Sequence, residues 1–570
     1  MYGLQIFDSW LYDDEKPFIH LDAIETFKFL KEQVNTNYFE QLIQKYLLDN
    51  THASIVVVKA EKGRTARLEK ELDEKLQAYK ASLSKEEVDR LVERTAQLIA
   101  YQEEPSTEEE LKTIPVLERE DISREIAPIY NEEKYYDDTL MVYHNIETNG
   151  IGYVDLLFDL SAVPAELLPY VGILQSVLGI IDTKNYEYGE LFNEINVHTG
   201  GIGTSLEMYP NVTKVKEKEF KATFEMKAKA LYDKLPTAFA MMKEILVNSK
   251  LDDEKRLKEI LDITKSRLQM RFQSAGHTTS ALRAMSYASP LAKFKDITNG
   301  IGFYQTVNDI CEHFEEKKEE LIQNLQKLCK MLFRAENMMM SYTASEEGLT
   351  DMEKLIADLK TDLYKETVES VPCILQCEKK NEGFKTSSKV QYVARAGNFI
   401  DQGVDYTGAL HILKVILSYD YLWQNVRVKG GAYGCMSSFN RLGDGYFVSY
   451  RDPNLEKTNE IYEGITEYLR QFDVSDRDMT KYIIGTISNI DQPMNPAAKG
   501  DRSLNLYMNH VSKEMIEKER KEILDATQED IRKLADVVDA VLKANQLCVI
   551  GSEEKIEEQK TLFDETKDLF

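Results

Sequence analysis

The chain has 570 residues, 43% of them apolar and 30% charged, with a net charge of −27. That length predicts about three or four domains. The acidic surplus argues against a nucleic-acid partner and against an anionic membrane, which both call for a basic surface, while leaving basic peptides open.

Residues 1–60 read as helix followed by strand. The amphipathic stretch 38–48 leads into the β-branched run 53–59, ASIVVVK, which has the composition of a buried strand. The opening residues MYGLQIFDSWLYDDEKPF have neither a basic region nor an apolar one, so no signal or transit peptide is expected. From 63 to 104, Leu68, Leu72, Leu76 and Tyr79 recur at helical spacing, and Ser84 with Glu87 has the pattern of a capping box that opens a second helix. Two narrow apolar stripes with charged backs predict a helical hairpin that acts as a lever or clasp rather than as a domain. An extended stretch through Pro105 and Pro115 follows.

Residues 151–160 (IGYVDLLFDL) predict a strand and 164–181 a helix. Its apolar part, 171–181, is the longest uncharged run and is too short to span a bilayer. Alternation at Phe220, Ala222, Phe224, Met226 and Ala228 predicts a half-buried strand. Helices near 234–247, 253–274 and 315–333 lead to an apolar strand at 337–343 (NMMMSYT). A second series runs from a strand at 390–393 through a mostly helical 406–426 to a strand pair at 431–437 and 445–450. After helices near 455–472, 476–488 and 528–543, it ends in a strand at 546–550 (QLCVI). ASIVVVKAEKG, NMMMSYTASEEG and QLCVIGSEEK share one grammar: an apolar strand after a helix, closed by small, acidic and Lys residues. Three endings with two beginnings predict tandem homologous units, the first incomplete.

The eight histidines are His20, His52, His144, His198, His277, His313, His411 and His510, and no two lie within five residues of each other. Neither His-x-x-x-His nor His-x-x-Glu-His is present, so no zinc motif is predicted. His313 with Glu316 and Glu194 with His198 are the nearest approaches, and acid-rich sequence produces such pairs by chance. The six cysteines form no Cys-x-x-Cys pair, which predicts reduced thiols and a cytoplasmic location. No Gly-x-Ser-x-Gly elbow occurs. His198-Thr199-Gly200-Gly201-Ile202-Gly203 lacks a P-loop ending and reads as a turn feeding a strand. Ser274-Ala275-Gly276-His277 reads as a polar break between helices.

The segment 423–435, WQNVRVKGGAYGC, carries the most chemistry. A helix ends, Gly430-Gly431 permits a sharp turn, and Tyr433 opens a strand, which can set Arg427 beside Tyr433 at a sheet edge. Arg is a forked donor to a carbonyl or carboxylate, and a Tyr hydroxyl can donate to a developing oxyanion. An ordinary helix–turn–strand connection gives the same pattern.

RVKGGAYG closely resembles the Arg/Tyr substrate-binding motif of presequence proteases, a branch of the pitrilysin/insulysin (insulinase) zinc metallopeptidases. YFEQLIQKYLLDNTH, the hairpin, KTIPVLEREDISREI, TNGIGYVDLLFDLS, HTGGI and SAGHTTSALRAMSY fall in the family's order. The resemblance implies an α+β fold of tandem homologous domains, each an antiparallel sheet plus helices (LuxS/metallohydrolase-like, as in mitochondrial processing peptidase), with a helical hairpin linker. It divides the chain into a remnant of a preceding domain (1–62), the hairpin and linker (63–120), and third and fourth peptidase-like domains (121–350 and 365–570). It implies the substrate-binding half of an endopeptidase for short or unfolded peptides. Arg427 and Tyr433 are then catalytic, and Arg427, Tyr433, Gly430 and Gly431 are substrate-binding. Zinc is implied for the complete enzyme, held by a His-x-x-Glu-His motif in an N-terminal half outside this chain. That half and an unstructured peptide are the partners implied. A non-catalytic binding or assembly subunit, or a truncated inactive fragment, is the alternative.

Overall fold

The computed structural model describes residues 2–570 apart from 60, 105, 116, 369–372 and 374. Pro105 of the predicted extended stretch therefore lies outside the described residues. Two compact units result, Met1–Pro115 and Val116–Phe570.

The first unit is helical. The hairpin helices are Arg64–Ser82 and Lys85–Glu103. Between them Ser84 Oγ accepts from Glu87 N (3.2 Å) while Glu87 Oε2 accepts from Ser84 N (2.8 Å), the reciprocal capping box its sequence predicts. Residues 38–48 are helical as expected, but 53–59 form no strand, which corrects the sequence expectation. A strand needs a neighbour for its backbone N–H and C=O groups, and among the described residues this run has none. Its side chains stand in the open, with Ile55 93% and Val58 87% exposed.

The second unit is built on two six-stranded sheets. The first comprises β1 (Glu132–Tyr136), β2 (Thr139–Asn145), β3 (Ile151–Asp159), β4 (Ile202–Pro210), β5 (Phe220–Leu231) and β6 (Met338–Ala344), ordered β1-β2-β6-β3-β5-β4. The second comprises β7 (Asn381–Thr386), β8 (Tyr392–Asn398), β9 (Gly434–Phe439), β10 (Asp444–Tyr450), β11 (Gln546–Ser552) and β12 (Glu565–Asp568), ordered β12-β7-β11-β8-β10-β9. Five positions correspond in both order and sense. β6 lies parallel to β2 and antiparallel to β3, as β11 lies parallel to β7 and antiparallel to β8. β4 and β9 are the matching antiparallel edges. Two of the three endings read from sequence are thus the equivalent central strands β6 and β11.

Alternation sends side chains to both faces of each sheet. In the second sheet Val393, Phe447 and Val549 join helices of their own series, while Tyr392, Ala394 and Ile550 join the core centred on the first sheet. Each series lends a helix to the other. Gly276–Met285 lies across β8, β10 and β11, and Pro496–Met508 lies across β2, β4 and β6. Arg283 on the first of these helices is 9% exposed. Its Nε and Nη2 donate to Glu382 of β7 (2.6 and 3.1 Å) and its Nη1 to Asp296 (2.6 Å). Tyr287 adds a third bond to Glu382 (2.7 Å). Burial lends these charges strength only because both carboxylates are satisfied.

Candidate functional site

The helix Ala409–Ile416 continues through two wide π-helical turns, Leu417–Tyr421 and Trp423–Val428. The second ends in the glycine turn. Gly431 has φ +82°, and its N–H donates to the Arg427 carbonyl (2.9 Å). A side chain at Gly430 would sit 2.4 Å from the Val426 carbonyl, so only glycine lets the chain turn this tightly. The turn is also held from outside. Asn454 donates to the Gly430 carbonyl (2.6 Å), and buried Asp452 accepts from Asn454 N (2.9 Å) and Thr458 (2.7 Å). Burial pushes the Asp452 carboxyl up from its usual range, while those donors pull it back toward the charged form. The N–H of Tyr433 donates to the Tyr450 carbonyl (3.0 Å) and so extends the β9–β10 ladder by one residue.

This scaffold brings together the two side chains singled out from sequence. The Arg427 guanidinium lies 3.9 Å from the centre of the Trp423 ring and 5.6 Å from that of Tyr433, a cation held between two aromatic faces. Among the described residues no carboxylate comes within ion-pair distance of it. Tyr433 is 65% exposed at the open end of edge strand β9, and its ring stands on Tyr450 (5.7 Å, 77°). Beneath, Cys435 is pushed up to about 12, chiefly by burial, and so stays a neutral thiol.

Sequence reasoning missed the support behind Tyr433. Tyr450 rests on His277 (4.7 Å) and Tyr392 (5.8 Å). Gly276 and His277 read as a polar break; the break is real at Ala275, but both residues open the helix laid over the second sheet. A side chain at Gly276 would meet the Tyr392 ring at 2.3 Å, so the glycine is there for close approach. The signal was Gly276 beside His277 at the head of an apolar-periodic stretch, but the facing strand is over a hundred residues away in sequence.

Among the described residues no three His, Cys, Asp or Glu are grouped to hold a metal ion. Two of the imidazoles are engaged elsewhere: His144 lies between the Tyr130 carbonyl (2.5 Å) and Ser341 (3.0 Å), and His411 pairs with Glu519 (2.6 Å). Glu194 and His198 approach to 3.5 Å without a third ligand. The described residues therefore do not fit a zinc site.

Two such sheets, with helices on their faces, define a duplicated M16-type peptidase fold. Solved structures agree: a protease from Helicobacter pylori superposes with TM-score 0.53 over 74% of this chain and 99% of that one at 13% identity. A peptidase M16 inactive domain from Pseudomonas fluorescens gives 0.51 over 74% and 97% at 12% identity. Two family profiles match, the associated domain of peptidase M16 subfamily C over residues 58–310 and the PreP C-terminal domain over residues 381–553. Protein HypA of Clostridium perfringens is 37% identical over 567 residues, covering 100% of this chain and 58% of that protein. Presequence protease 1, chloroplastic/mitochondrial, of Arabidopsis thaliana is 28% identical over 562 residues, covering 97% and 52%. The chain belongs to the presequence-protease-like branch of the M16 peptidases and corresponds to their C-terminal half. It spans a little over half the length of these curated relatives.

Proposed function

We propose that this chain is the substrate-binding half of a metalloendopeptidase acting on short or unfolded peptides. The observation that carries the reading is the Arg427–Tyr433 pair: a half-buried guanidinium and an exposed tyrosine hydroxyl, preorganised by aromatic stacking at the open end of a sheet edge, and among the described residues uncommitted to any carboxylate. An extended peptide laid along β9 exposes its carbonyls to that end. Tyr433 Oη donates to the carbonyl oxygen of the scissile bond as negative charge develops there, and Arg427 holds a neighbouring carbonyl in register. Zinc enters with the complementary N-terminal half. The exposed apolar side chains of residues 53–59 belong to the surface that half covers. All six cysteines are free thiols, which supports a cytoplasmic setting.

The test is reconstitution. The chain alone is assayed for zinc and for cleavage of an unstructured peptide, and then again with a polypeptide carrying the complementary half. Cleavage in the mixture and none by the lone chain is the expected result; zinc and cleavage in the lone chain overturn it. Binding without cleavage in the mixture would favour a non-catalytic assembly subunit.

A further inference from the structure

The Gly-rich turn at residues 198–203 has no part in the proposed chemistry, yet it is the topological counterpart of the Arg427–Tyr433 turn. Each follows a helical segment, carries Gly-Gly with the second glycine at positive φ (Gly201 +126°, Gly431 +82°), and feeds the edge strand of its sheet. Where the second repeat has Gly-Gly-Ala-Tyr-Gly, the first has Gly-Gly-Ile-Gly, so it lacks the tyrosine.

In its place lies a cavity of about 520 Å³, between the start of β4 and the helices Tyr188–His198 and Glu254–Ser274. Phe192, Ile195, Leu268 and Phe303 give it apolar walls, and Arg267 and Arg271 give it charge. The two arginines are four residues apart on one helix and therefore share a face. Arg271 donates to the side chain and carbonyl of Asn299, and burial holds it below the usual guanidinium range. Among the described residues neither arginine has a carboxylate within ion-pair distance. A guanidinium has five donors, and two bonds to Asn299 do not exhaust them. At Gly203 the space a side chain would fill is open to 4 Å.

We propose that β4 and this cavity form a second peptide-docking site, which takes an extended peptide antiparallel to β4 and closes on its free C-terminal carboxylate with Arg267 and Arg271. β4 is the edge strand of its sheet; an incoming peptide displaces Gln175 Nε2 from the Thr204 carbonyl (3.3 Å) and adds its own backbone hydrogen bonds there, and the pocket takes a side chain. Direction follows from charge. β4 starts at the cavity, so an antiparallel strand ends there and brings a carboxylate to two arginines, whereas a parallel strand would bring an ammonium group. The carboxylate matches the guanidinium fork, and the walls fit an apolar last residue. The inference rests on the proposed peptide-handling role and adds which end of the peptide is held.

The experiment measures binding of a fluorescent unstructured peptide with an apolar last residue to the full 570-residue chain, as free acid and as C-terminal amide. The acid binds about tenfold tighter, the lower end of what a charge-assisted hydrogen bond carries. Arg267→Glu, at an exposed position without an ion pair, brings that ratio to about one, and so does Arg271→Gln in protein with an unshifted melting profile. Tyr433→Phe leaves the ratio intact. Equal affinities for acid and amide in the unaltered chain overturn the proposal. So does a ratio that survives both arginine changes, or one that disappears with Tyr433→Phe. Turnover of the reconstituted enzyme is read separately, so an absent acid preference alongside a Tyr433-dependent rate sinks this site and spares the catalytic reading.

Discussion

The two sheets of the second unit share five strand positions in order and sense, but their corresponding edges carry different chemistry. At β9 the turn itself supplies the donors, because one tyrosine is added after Gly-Gly and an arginine sits in the preceding π turn. At β4 the turn supplies only glycines, and charge comes from a neighbouring helix. The difference teaches that the duplicated fold fixes an open sheet edge beside a glycine turn, and that a single residue beside it decides whether the edge presents a donor to a peptide bond. The two sheets are copies of one arrangement, so variants that act on one copy alone separate them most sharply.

The largest effect is expected where the copies are locked together. Glu382→Ala removes the partner of Arg283 Nε and Nη2 and leaves a buried charge half satisfied. Such a loss costs about 3–5 kcal/mol. Because each series covers the other's sheet, urea unfolding of the variant should remain one cooperative transition at a lower midpoint. Two resolved transitions would mean that the sheets fold as separate domains and that the exchanged helices add little.

Next comes the edge that carries the donors. Tyr433→Phe keeps the ring on Tyr450 and removes only the hydroxyl. Loss of one oxyanion donor lowers turnover on the order of a hundred- to a thousandfold. In the reconstituted enzyme the expected signature is a fall in kcat with KM nearly unchanged. Arg427→Lys keeps the charge but loses the planar stack between Trp423 and Tyr433, and should raise KM more than it lowers kcat. An unchanged rate in Tyr433→Phe would remove that residue from the mechanism and leave β9 no different in kind from β4.

The sheets also differ in titration. β2 carries His144, whereas no strand of the second sheet contains a histidine. Burial lowers His144 to about 4, so the folded chain keeps it neutral, donating to Tyr130 and accepting from Ser341. Its contribution is complete above the unfolded value near 6.5 and is lost as pH falls from there to about 4, by up to about 3 kcal/mol. The pH dependence of the urea midpoint should flatten by that amount in His144→Gln, and parallel curves for the two proteins would exclude His144 as its source.

Much of this comparison was legible from the sequence because it rests on local signals. The capping box at Ser84, the alternation in β5, the apolar runs of β6 and β11 and the Gly-Gly turn before Tyr433 all depend on neighbours a few residues away. Strands β7 and β12 escaped: NEGFKT and ETKD carry no apolar period, and they pair because β11 and β7 are already in place. Residues 53–59 failed in the opposite way, having strand composition and no partner. The Arg–Tyr pair was readable since both members lie in one eight-residue motif; His277, Tyr392 and Arg271 were not, because tertiary packing alone brings them to their edges.

The smallest predicted effects set the two glycine turns against each other. Gly430→Ala drives a side chain to 2.4 Å from the Val426 carbonyl, backbone that cannot swing aside without shifting Arg427. Gly200→Ala meets only the Lys229 side chain, 2.6 Å from its Cε, which can move to another rotamer. Gly430→Ala should therefore cost about 1–3 kcal/mol, in the range of overpacking, and weaken peptide binding at the β9 edge, while Gly200→Ala costs less than about 1 kcal/mol. Equal effects in thermal melts and peptide titrations would show that the two turns are interchangeable supports. Unequal effects in the expected order would show that the second copy alone is built to hold its turn residues to tolerances that chemistry requires, with Asn454 and Asp452 bracing that turn from outside.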